Sequence, residues 1–513
     1  MRTITALATI VLGTVAVGDP VAQTLTVPAG GDLQSALNRA QPGAVILLDR
    51  GATYVGNFVL PAGPGTGDRA ITIRTSGDDG LPAPGARIGP DASPLLAKLQ
   101  SPNALPALAT SAGTRGWNIQ LVEFLANRDG AGDIVTLGDG STAQKSMDAV
   151  PSNLTLDRVY IHGDPAKGQK RGVALNAASV TISGSYISDI KAVGQDSQAI
   201  AGWNGPGDYV IENNYLEAAG ENVMFGGSDP AILGLTPTKI QVRNNLMSKP
   251  LAWRAPGQPA WQVKNIFELK NARGVVVEHN VLEHCWLQAQ TGYAVLFTVR
   301  NQDGGCPWCQ VEDVQFNGNI VRDVAAGMQI LGTDPNAPSR QTNRIVVTNN
   351  LFDGIDRAQW GGDGYFLLLS DAPRDITIDH NTIVQGQSSG LIKIAHGVTS
   401  GVVITNNLAA QGDYGIIGTD HGIGTDSINA YMPGANVTHN VIAGGRASAY
   451  PPGNLFPSLD DFRSQFVNFA AHDYRLSPTS GWHKAATDGR DLGADMTVIA
   501  ELQHGRIAER KGR

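Results

Sequence analysis

The sequence Val-Val-Val-Glu-His-Asn-Val-Leu at residues 275–282 is one copy of a pattern that recurs through the chain. In most copies a β-branched stretch is followed by an Asn or His, a second Asn and an apolar pair. The second Asn of the eight clear copies is Asn214, Asn245, Asn280, Asn319, Asn350, Asn381, Asn407 and Asn440, at spacings of 26 to 39 residues. Weaker copies occur at residues 154–161 and 180–187.

Repeats of roughly 20–50 residues are typical of solenoids, and short alternating runs of Val, Ile and Thr are typical of strands. Asn suits the turn because it tolerates a left-handed backbone and bonds its own backbone. Stacked coil on coil, the Asn side chains could form a hydrogen-bonded ladder inside the molecule. We therefore predict an all-β protein, a right-handed parallel β-helix over residues 24–445. A sandwich of unrelated strands would not require eight similar turns.

The two ends of the chain differ from the repeating part. Residues 1–23 contain a short apolar run followed by small residues, the pattern of a signal peptide, so we expect a secreted protein in the extracellular space or the periplasm. Asp32 is a predicted N-cap for a short helix with Leu33 and Leu37 on its apolar face. This helix would cover the first coil and its open strand edges. Residues 446–513 are predicted to form a closing segment and tail.

Composition narrows the classes of partner. Gly contributes 62 of 513 residues and charged residues only 16%, which favours many short strands and tight turns. The net charge of −8 gives no general attraction to nucleic acid. No segment reaches the ~18 apolar residues of a membrane span, and we expect a monomer that associates with neither nucleic acid nor membranes. Cys285, Cys306 and Cys309 are too few for a zinc site and indicate a disulfide between two of the three.

The candidate site comes from aligning the strands that follow the Asn turns in the central coils. Side-chain alternation places Phe225, Leu269, Phe297 and Leu331 inward. Their neighbours then face outward, namely Glu268, Lys270, Thr298, Arg300 and Asp334. Because stacked strands lie about 4.8 Å apart, side chains on successive coils can share one cleft. Asp334 is also predicted to bind substrate. The other end of the cleft would be lined by Asp196 and by the further predicted substrate-binding residues Gln198, Trp203, Asn204, Glu221 and Asn222.

A Lys and an Arg on neighbouring coils suit β-elimination from a uronate-containing polysaccharide. The proton removed from C5 lies next to a carboxylate, so a cation must neutralise that carboxylate before a carbanion can develop. A lysine can take the proton if burial or a nearby cation lowers its pKa. This chemistry assigns Arg300 as the carboxylate clamp and Lys270 as the base. Glu268 would orient Lys270 or help to hold Ca²⁺.

The capping helix, the entry at residues 42–60 and the Asn-Asn turns resemble the pectate-lyase-like β-helix superfamily. The resemblance implies the fold over nearly the whole mature chain and leaves the activity open. Residues 267–304 are similar to the Lys and Arg region of the chondroitinase B and alginate lyase family, which implies that Lys270 and Arg300 are catalytic. That family has two carboxylates ahead of the lysine for calcium, whereas here only Glu268 stands there. The resemblance therefore makes Ca²⁺ possible but not required.

Other readings of the same residues stay open. Lys270 and Arg300 could be solvated surface charges, or structural partners of Glu268 and Asp334. A glycoside hydrolase would need two carboxylates about 6.5–9.5 Å apart if it inverts configuration. Asp334 with Asp371, or Asp196 with Glu221, could supply such a pair. A non-catalytic glycan-binding or surface protein could use the same face without any turnover.

Overall fold

The computed structural model describes residues 23–64 and 69–502, so the predicted signal peptide and the end of the predicted tail lie outside the described residues. Nearly all strands belong to three long parallel sheets, and each coil contributes one strand to each sheet in turn. We name them sheets A, B and C in the order in which a coil visits them. This architecture confirms the predicted right-handed parallel β-helix. Within the described residues, no helix is long and apolar enough to cross a membrane.

The strands of sheet A are Thr24–Val27, Val45–Leu48, Ile71–Thr75, Thr114–Gln120, Ser152–Asp157, Ala178–Ser183, Gly207–Glu212, Thr238–Arg243, Ala272–Glu278, Val311–Asn317, Asn343–Thr348, Arg374–Asp379, Val403–Thr405 and Asn436–Thr438, with Gly63–Pro64 paired at one side. The strands of sheet B are Thr53–Val55, Ala97–Gln100, Val122–Phe124, Tyr160–His162, Tyr186–Ile190, Tyr215–Ala218, Leu246–Ser248, Val281–Cys285, Ile320–Val324, Leu351–Ile355, Thr382–Gln385, Leu408–Ala410 and Val441–Ala443. The strands of sheet C are Phe58–Leu60, Leu108–Thr110, Asp133–Leu137, Arg171–Leu175, Gln198–Gly202, Glu221–Phe225, Phe267–Leu269, Tyr293–Thr298, Ala326–Leu331, Leu367–Ser370, Ile392–Ala395 and Ile416–Gly418.

Helices are few and short. The α-helices are Leu33–Arg39, Arg357–Trp360, Thr425–Tyr431 and Leu459–Ser464, and the described residues 496–502 are also helical. The 3₁₀-helices are Pro90–Leu95, Met147–Ala149, Leu251–Arg254, Ala447–Ala449 and Phe469–Ala471. The first α-helix is the predicted capping helix. Asp32 accepts a hydrogen bond from the N–H of Ser35, and the helix buries Leu33, Ala36 and Leu37 against the first coil.

The Asn turns connect sheet A to sheet B. The first residue of each pair adopts the left-handed conformation, as at Asn244 with φ 55° and His279 with φ 54°. The second residue is buried and forms the ladder: Asn280 Oδ1 accepts hydrogen bonds from the backbone N–H and the Nδ2 of Asn245, at 3.0 Å each. Asn280 Nδ2 in turn donates to the carbonyl of Val242, on the preceding coil, at 2.8 Å. The same arrangement repeats from Asn214 to Asn440, so the ladder connects successive coils along this part of the β-helix.

The strands aligned in the sequence belong to sheet C, and a strand of sheet B lies between them and the Asn turns. Phe225, Leu269 and Phe297 are cross-strand partners and point into the core as predicted. The prediction for Leu331 is wrong, because Ile330 pairs with Phe297 and occupies the inward position. Ile330 and Leu331 are adjacent apolar residues in this strand. Shifting the assumed alternation by one residue exchanges the buried and exposed faces.

The closing segment covers the outer face of sheet B. After an antiparallel pair, Phe466–Asn468 with Asp473–Leu476, the chain continues along the coil stack. The side chains of Phe462, Phe466 and Trp482 form one apolar cluster with residues of sheet B such as Leu246 and Val281. This second core keeps the outer apolar side chains of sheet B away from water.

Candidate functional site

The outer face of sheet C carries a cleft of about 520 Å³ over its central coils. The residues that line it are Glu268, Lys270, Gln290, Thr291, Tyr293, Leu296, Thr298, Arg300, Gln329, Leu331, Pro335, Leu368, Ser370, Asp371, Lys393, Ala395 and His396. Lys270 and Arg300 therefore line the same cleft, on neighbouring coils. The backbone N–H of Arg300 donates to the carbonyl of Lys270 at 3.0 Å.

Lys270 directly follows the strand Phe267–Leu269 and keeps 15% of its side chain exposed. Its ammonium lies 3.1 Å from Glu268 Oε1, which is buried and also accepts from the Thr298 hydroxyl at 3.2 Å. Glu268 therefore orients the lysine. On the neighbouring coil Gly226, with φ 95°, leaves room for Lys270, since a Cβ there would lie 2.8 Å from the Lys270 Cβ.

Arg300 is held by a carboxylate from the next coil. Its Nη1 donates to Asp334 Oδ1 at 2.6 Å, and 27% of the arginine side chain stays exposed. The side chain of Asp334 has no exposed surface and also accepts from the N–H groups of Asn301 and Asn336 at 2.8 and 3.0 Å. Asp334 was predicted to contact substrate, but the structure makes it a support for Arg300, because its oxygens already face these donors.

The loop after Arg300 is anchored at both sides. Asp229 accepts hydrogen bonds from the backbone N–H groups of Gln302, Asp303 and Gly305. Cys306 and Cys309 form a disulfide, which meets the expectation of a disulfide between two of the three cysteines. Cys285 is a free thiol buried in the core.

The other predicted carboxylate, Glu221, begins a sheet C strand and is fully buried. It accepts from Gln198 Nε2 at 2.9 Å and pairs with Lys264 at 2.8 Å. Burial, together with the charge of Glu268, raises the pKa of Glu221 above its usual range. The ammonium of Lys264 also lies 2.7 Å from Asp196 Oδ2. The sequence analysis missed Lys264, although it lies six residues before Lys270 in the same segment.

Two predicted binding residues are structural. Asn222 points into the coil, where its Nδ2 donates to the carbonyls of Leu216 and Ser248 at 2.8 and 2.9 Å. Asn204 is buried and donates to the carbonyls of Asp139 and Gln144 at 2.9 and 2.8 Å. Both predictions of substrate contact are wrong, because these amides complete backbone hydrogen bonds inside the protein.

Trp203 lies in a second hollow of about 500 Å³ on the same face of sheet C. The guanidinium of Arg171 lies 4.8 Å from the centre of its ring, and Arg171 also pairs with Asp133 and donates to Gln198. The second hollow adjoins the first, because Met224, which lines it, is the cross-strand partner of Glu268. Gln198 is buried and connects Arg171 to Glu221 rather than facing either hollow.

The carboxylate pairs proposed for a hydrolase lack the required geometry. Asp196 and Glu221 each place an oxygen within 2.8 Å of one lysine nitrogen, and Glu221 is fully buried, so no water fits between them. Asp371 lines the first cleft, but Asp334 is shielded behind Arg300. Within residues 23–64 and 69–502, no group of three or more His, Cys, Asp or Glu side chains is placed to hold a metal ion. Calcium does not fit the carboxylates beside Lys270, because protein cations already bind them.

No protein-family model matches this chain, and no curated protein matches it. Among solved structures, the chain is similar to the PL6 family alginate lyase AlyGC, with 14% identity and a TM-score of 0.49 over 83% of this chain and 53% of that one. The chain thus spans about half the length of that structure. A PL6 family polysaccharide lyase from Pseudopedobacter saltans matches with 13% identity and a TM-score of 0.40, over 86% and 89% of the two chains. The catalytic domain of a GH87 alpha-1,3-glucanase matches with 13% identity and a TM-score of 0.47, over 86% and 70%.

Proposed function

We propose that this protein is a polysaccharide lyase that cleaves an acidic, uronate-containing glycan by β-elimination in the cleft of Lys270 and Arg300. The observation that carries the proposal is the presence of one ammonium and one guanidinium on adjacent coils of a single open cleft. Of the charged residues that line it, Lys270, Arg300 and Lys393 are cations, against the carboxylates Glu268 and Asp371. The lining therefore has one more cation than carboxylates although the whole chain is negative, and Asp334 behind Arg300 offsets this excess. The guanidinium and the two ammonium groups still give an anionic polymer local partners.

Each of the two side chains has one role in the reaction. The planar fork of Arg300 binds the uronate carboxylate and spreads the negative charge that develops when the C5 proton leaves. Because Lys270 pairs with Glu268 as an ammonium, it must first release a proton to solvent, and its neutral amine then accepts the C5 proton on Nζ. The electron pair of the C5–H bond forms the C4–C5 double bond, the C4–O bond breaks, and the departing oxygen takes a proton from solvent. Glu268 and Asp334 hold the two reacting side chains in place.

The same geometry argues against the hydrolase alternative. An inverting hydrolase needs two accessible carboxylates with a water between them. In the described cleft Asp371 lines the surface, but the side chain of Asp334 is not exposed, so the two carboxylates cannot act as a pair. Lys264 lies between the carboxylates of Asp196 and Glu221. The disulfide Cys306–Cys309 further supports our proposal that the enzyme acts outside the reducing cytoplasm.

The test is a screen of the purified protein against uronate-containing and neutral polysaccharides, read by the ultraviolet absorbance of unsaturated uronates. On the substrate that responds, Lys270→Ala should lower kcat by roughly 10²–10⁴-fold with the fold intact by circular dichroism. The control is Lys239→Ala, an exposed lysine on sheet A. Retained activity in Lys270→Ala would remove the assignment. New reducing ends without absorbance would indicate a hydrolase, and binding without either product would indicate a glycan-binding protein.

A further inference from the structure

Four charged side chains beside the cleft form two compensated pairs. Glu221 pairs with Lys264 at 2.8 Å, and Glu268 pairs with Lys270 at 3.1 Å. The two carboxylates are buried, with 0% and 1% of their residue surface exposed, and burial together with the charge of Glu268 raises the pKa of Glu221. Two carboxylates this close and this dry remain ionised only with cations beside them.

Lys264 bridges two carboxylates from separate parts of the chain. Its Nζ lies 2.7 Å from Asp196 Oδ2 and 2.8 Å from Glu221 Oε1, and only 8% of the residue is exposed. Burial by itself would lower the pKa of Lys264, but Glu221 and Asp196 outweigh burial and raise the pKa above its ordinary value. The two carboxylates therefore favour the charged form of Lys264.

The oxygens of both buried carboxylates already have partners. Glu221 Oε1 contacts Lys264, and Oε2 accepts from Gln198 at 2.9 Å. Glu268 Oε1 contacts Lys270 and accepts from Thr298, and Oε2 accepts from the Asn265 amide at 3.2 Å. Calcium takes six to eight oxygen ligands. To bind here, it would have to displace the ammonium groups of Lys264 and Lys270 from their carboxylates.

We propose that the ammonium of Lys264 is the resident cation of this site, in the place that a divalent metal would otherwise take, so that the protein neither binds nor needs calcium there. The inference rests on the proposed function only in assigning these carboxylates to a lyase site. Lys264 acts as a positioning residue, because it contacts Glu221 and Asp196 and does not line the cleft.

Replacing the lysine should convert the site. In Lys264→Gln the carboxylates of Asp196 and Glu221 lose their shared cation and stand beside Glu268, which leaves an oxygen-rich, negatively charged pocket. Calcium should then bind and raise Tm by at least about 2 °C when it is present well above its Kd. The wild-type Tm should be the same in EDTA and in calcium chloride.

The experiment titrates calcium chloride into the full chain by calorimetry and measures Tm in EDTA and in calcium, for the wild type, Lys264→Gln and the control Lys239→Gln. The control removes an exposed lysine, with 77% of its side chain accessible, on a different wall of the coil. The double variant Lys264→Gln with Glu221→Gln keeps the shape but removes the buried charge, so it should fold and gain no calcium response.

A wild-type protein that calcium stabilises, with the response lost in Glu221→Gln, would overturn the inference. So would a Lys264→Gln protein that folds and whose Tm is indifferent to calcium. If Lys264→Gln does not fold, the wild-type titration decides alone. These measurements need no turnover, so they stand whether or not the lyase screen succeeds. Where turnover is found, the wild-type rate should be unchanged by EDTA.

Discussion

The position of Arg300 depends on a single buried carboxylate. Asp334 accepts one hydrogen bond from the guanidinium and two from backbone N–H groups, so it fixes both the side chain and the start of the following loop. Hydrogen bonds to a charged group contribute about 1.5–3 kcal/mol each. In the proposed reaction, Arg300 is thus only as well positioned as Asp334, which supports it.

Asp334→Asn should lower kcat/KM by roughly 10–100-fold, because the amide keeps the shape but loses the charge that holds Arg300. Since the clamp acts on bound substrate and on the transition state, we expect KM to rise together with a fall in kcat. Steady-state kinetics measure both, and Asp375→Asn, an exposed residue on sheet A, is the control. Wild-type kinetics in Asp334→Asn would show that Arg300 needs no such support.

The raised pKa of the buried Glu217 carboxyl predicts that the stability of the protein depends on pH. Burial raises its pKa from 4.5 to about 7, with the charge of Asp189 adding to the effect. Between these pH values the folded protein holds a proton that the unfolded chain has released. The contribution of Glu217 to the free energy of unfolding is therefore full below pH 4.5 and is lost as pH rises through 7. The loss is on the order of 3 kcal/mol.

The neutral variant Glu217→Gln should have a free energy of unfolding that falls less steeply from pH 5 to pH 7.5 than that of the wild type. Urea unfolding at the two pH values measures the difference, and comparing the two proteins removes the contribution of every other titrating group. Parallel pH profiles would show that Glu217 titrates normally in the folded protein.

Among the structural elements, the Asn ladder holds successive coils in register. Asn319 Oδ1 accepts from the backbone N–H and the Nδ2 of Asn280, while its own Nδ2 donates to the carbonyl of Val277 at 2.9 Å. One side chain therefore satisfies buried polar groups on neighbouring coils. The ladder lies where each coil passes from sheet A to sheet B.

Asn319→Ala should lower the free energy of unfolding by about 2–5 kcal/mol, because it leaves a buried N–H and a buried carbonyl without partners. Chemical denaturation measures the loss. The matched control is Asn436→Ala, an exposed asparagine at the start of a sheet A strand, which should change stability by less than about 0.5 kcal/mol. An equal effect of the two substitutions would contradict a structural role for the ladder.

At the scale of the whole molecule, the closing segment completes the fold from outside the coil. Phe466 is 4% exposed and contacts Phe462, Tyr474 and Trp482 over sheet B, whereas its neighbour Val467 is 48% exposed. A sheet with an apolar outer face would otherwise present a large patch for aggregation.

Phe466→Ala should lower the free energy of unfolding by about 3–5 kcal/mol through the lost burial and the cavity left behind. Val467→Ala, next to it in the same strand, should cost less than about 0.5 kcal/mol. Thermal unfolding of both variants checks the difference, and a similar small shift in Tm for both would mean that the segment does not form a second core.

The repeat of Asn and β-branched residues by itself determined the coil and the ladder, because both depend on local chemistry that recurs at a regular period. The capping helix followed separately from Asp32 and the apolar face of Leu33 and Leu37. It also placed Lys270 and Arg300 on neighbouring outward positions. Because Ile330 and Leu331 are adjacent and both apolar, the sequence did not show which of them points into the core, and Leu331 was assigned to the wrong face. Only the tertiary structure decided the partners of Glu221, Asn222 and Asp334.

These contacts could not be predicted from the repeat because the partner residues lie in loops of variable length. Lys264 reaches Glu221 and Asp196 from the long connection between the sheet B and sheet C strands of one coil, and Asp334 reaches Arg300 from a loop of the next coil. The lengths and paths of such loops do not follow the repeat, and burial in the assembled coil turns candidate ligand-binding side chains into internal supports. Period and alternation predict which wall a residue lies on, whereas its contacts there depend on the packing of every loop around it.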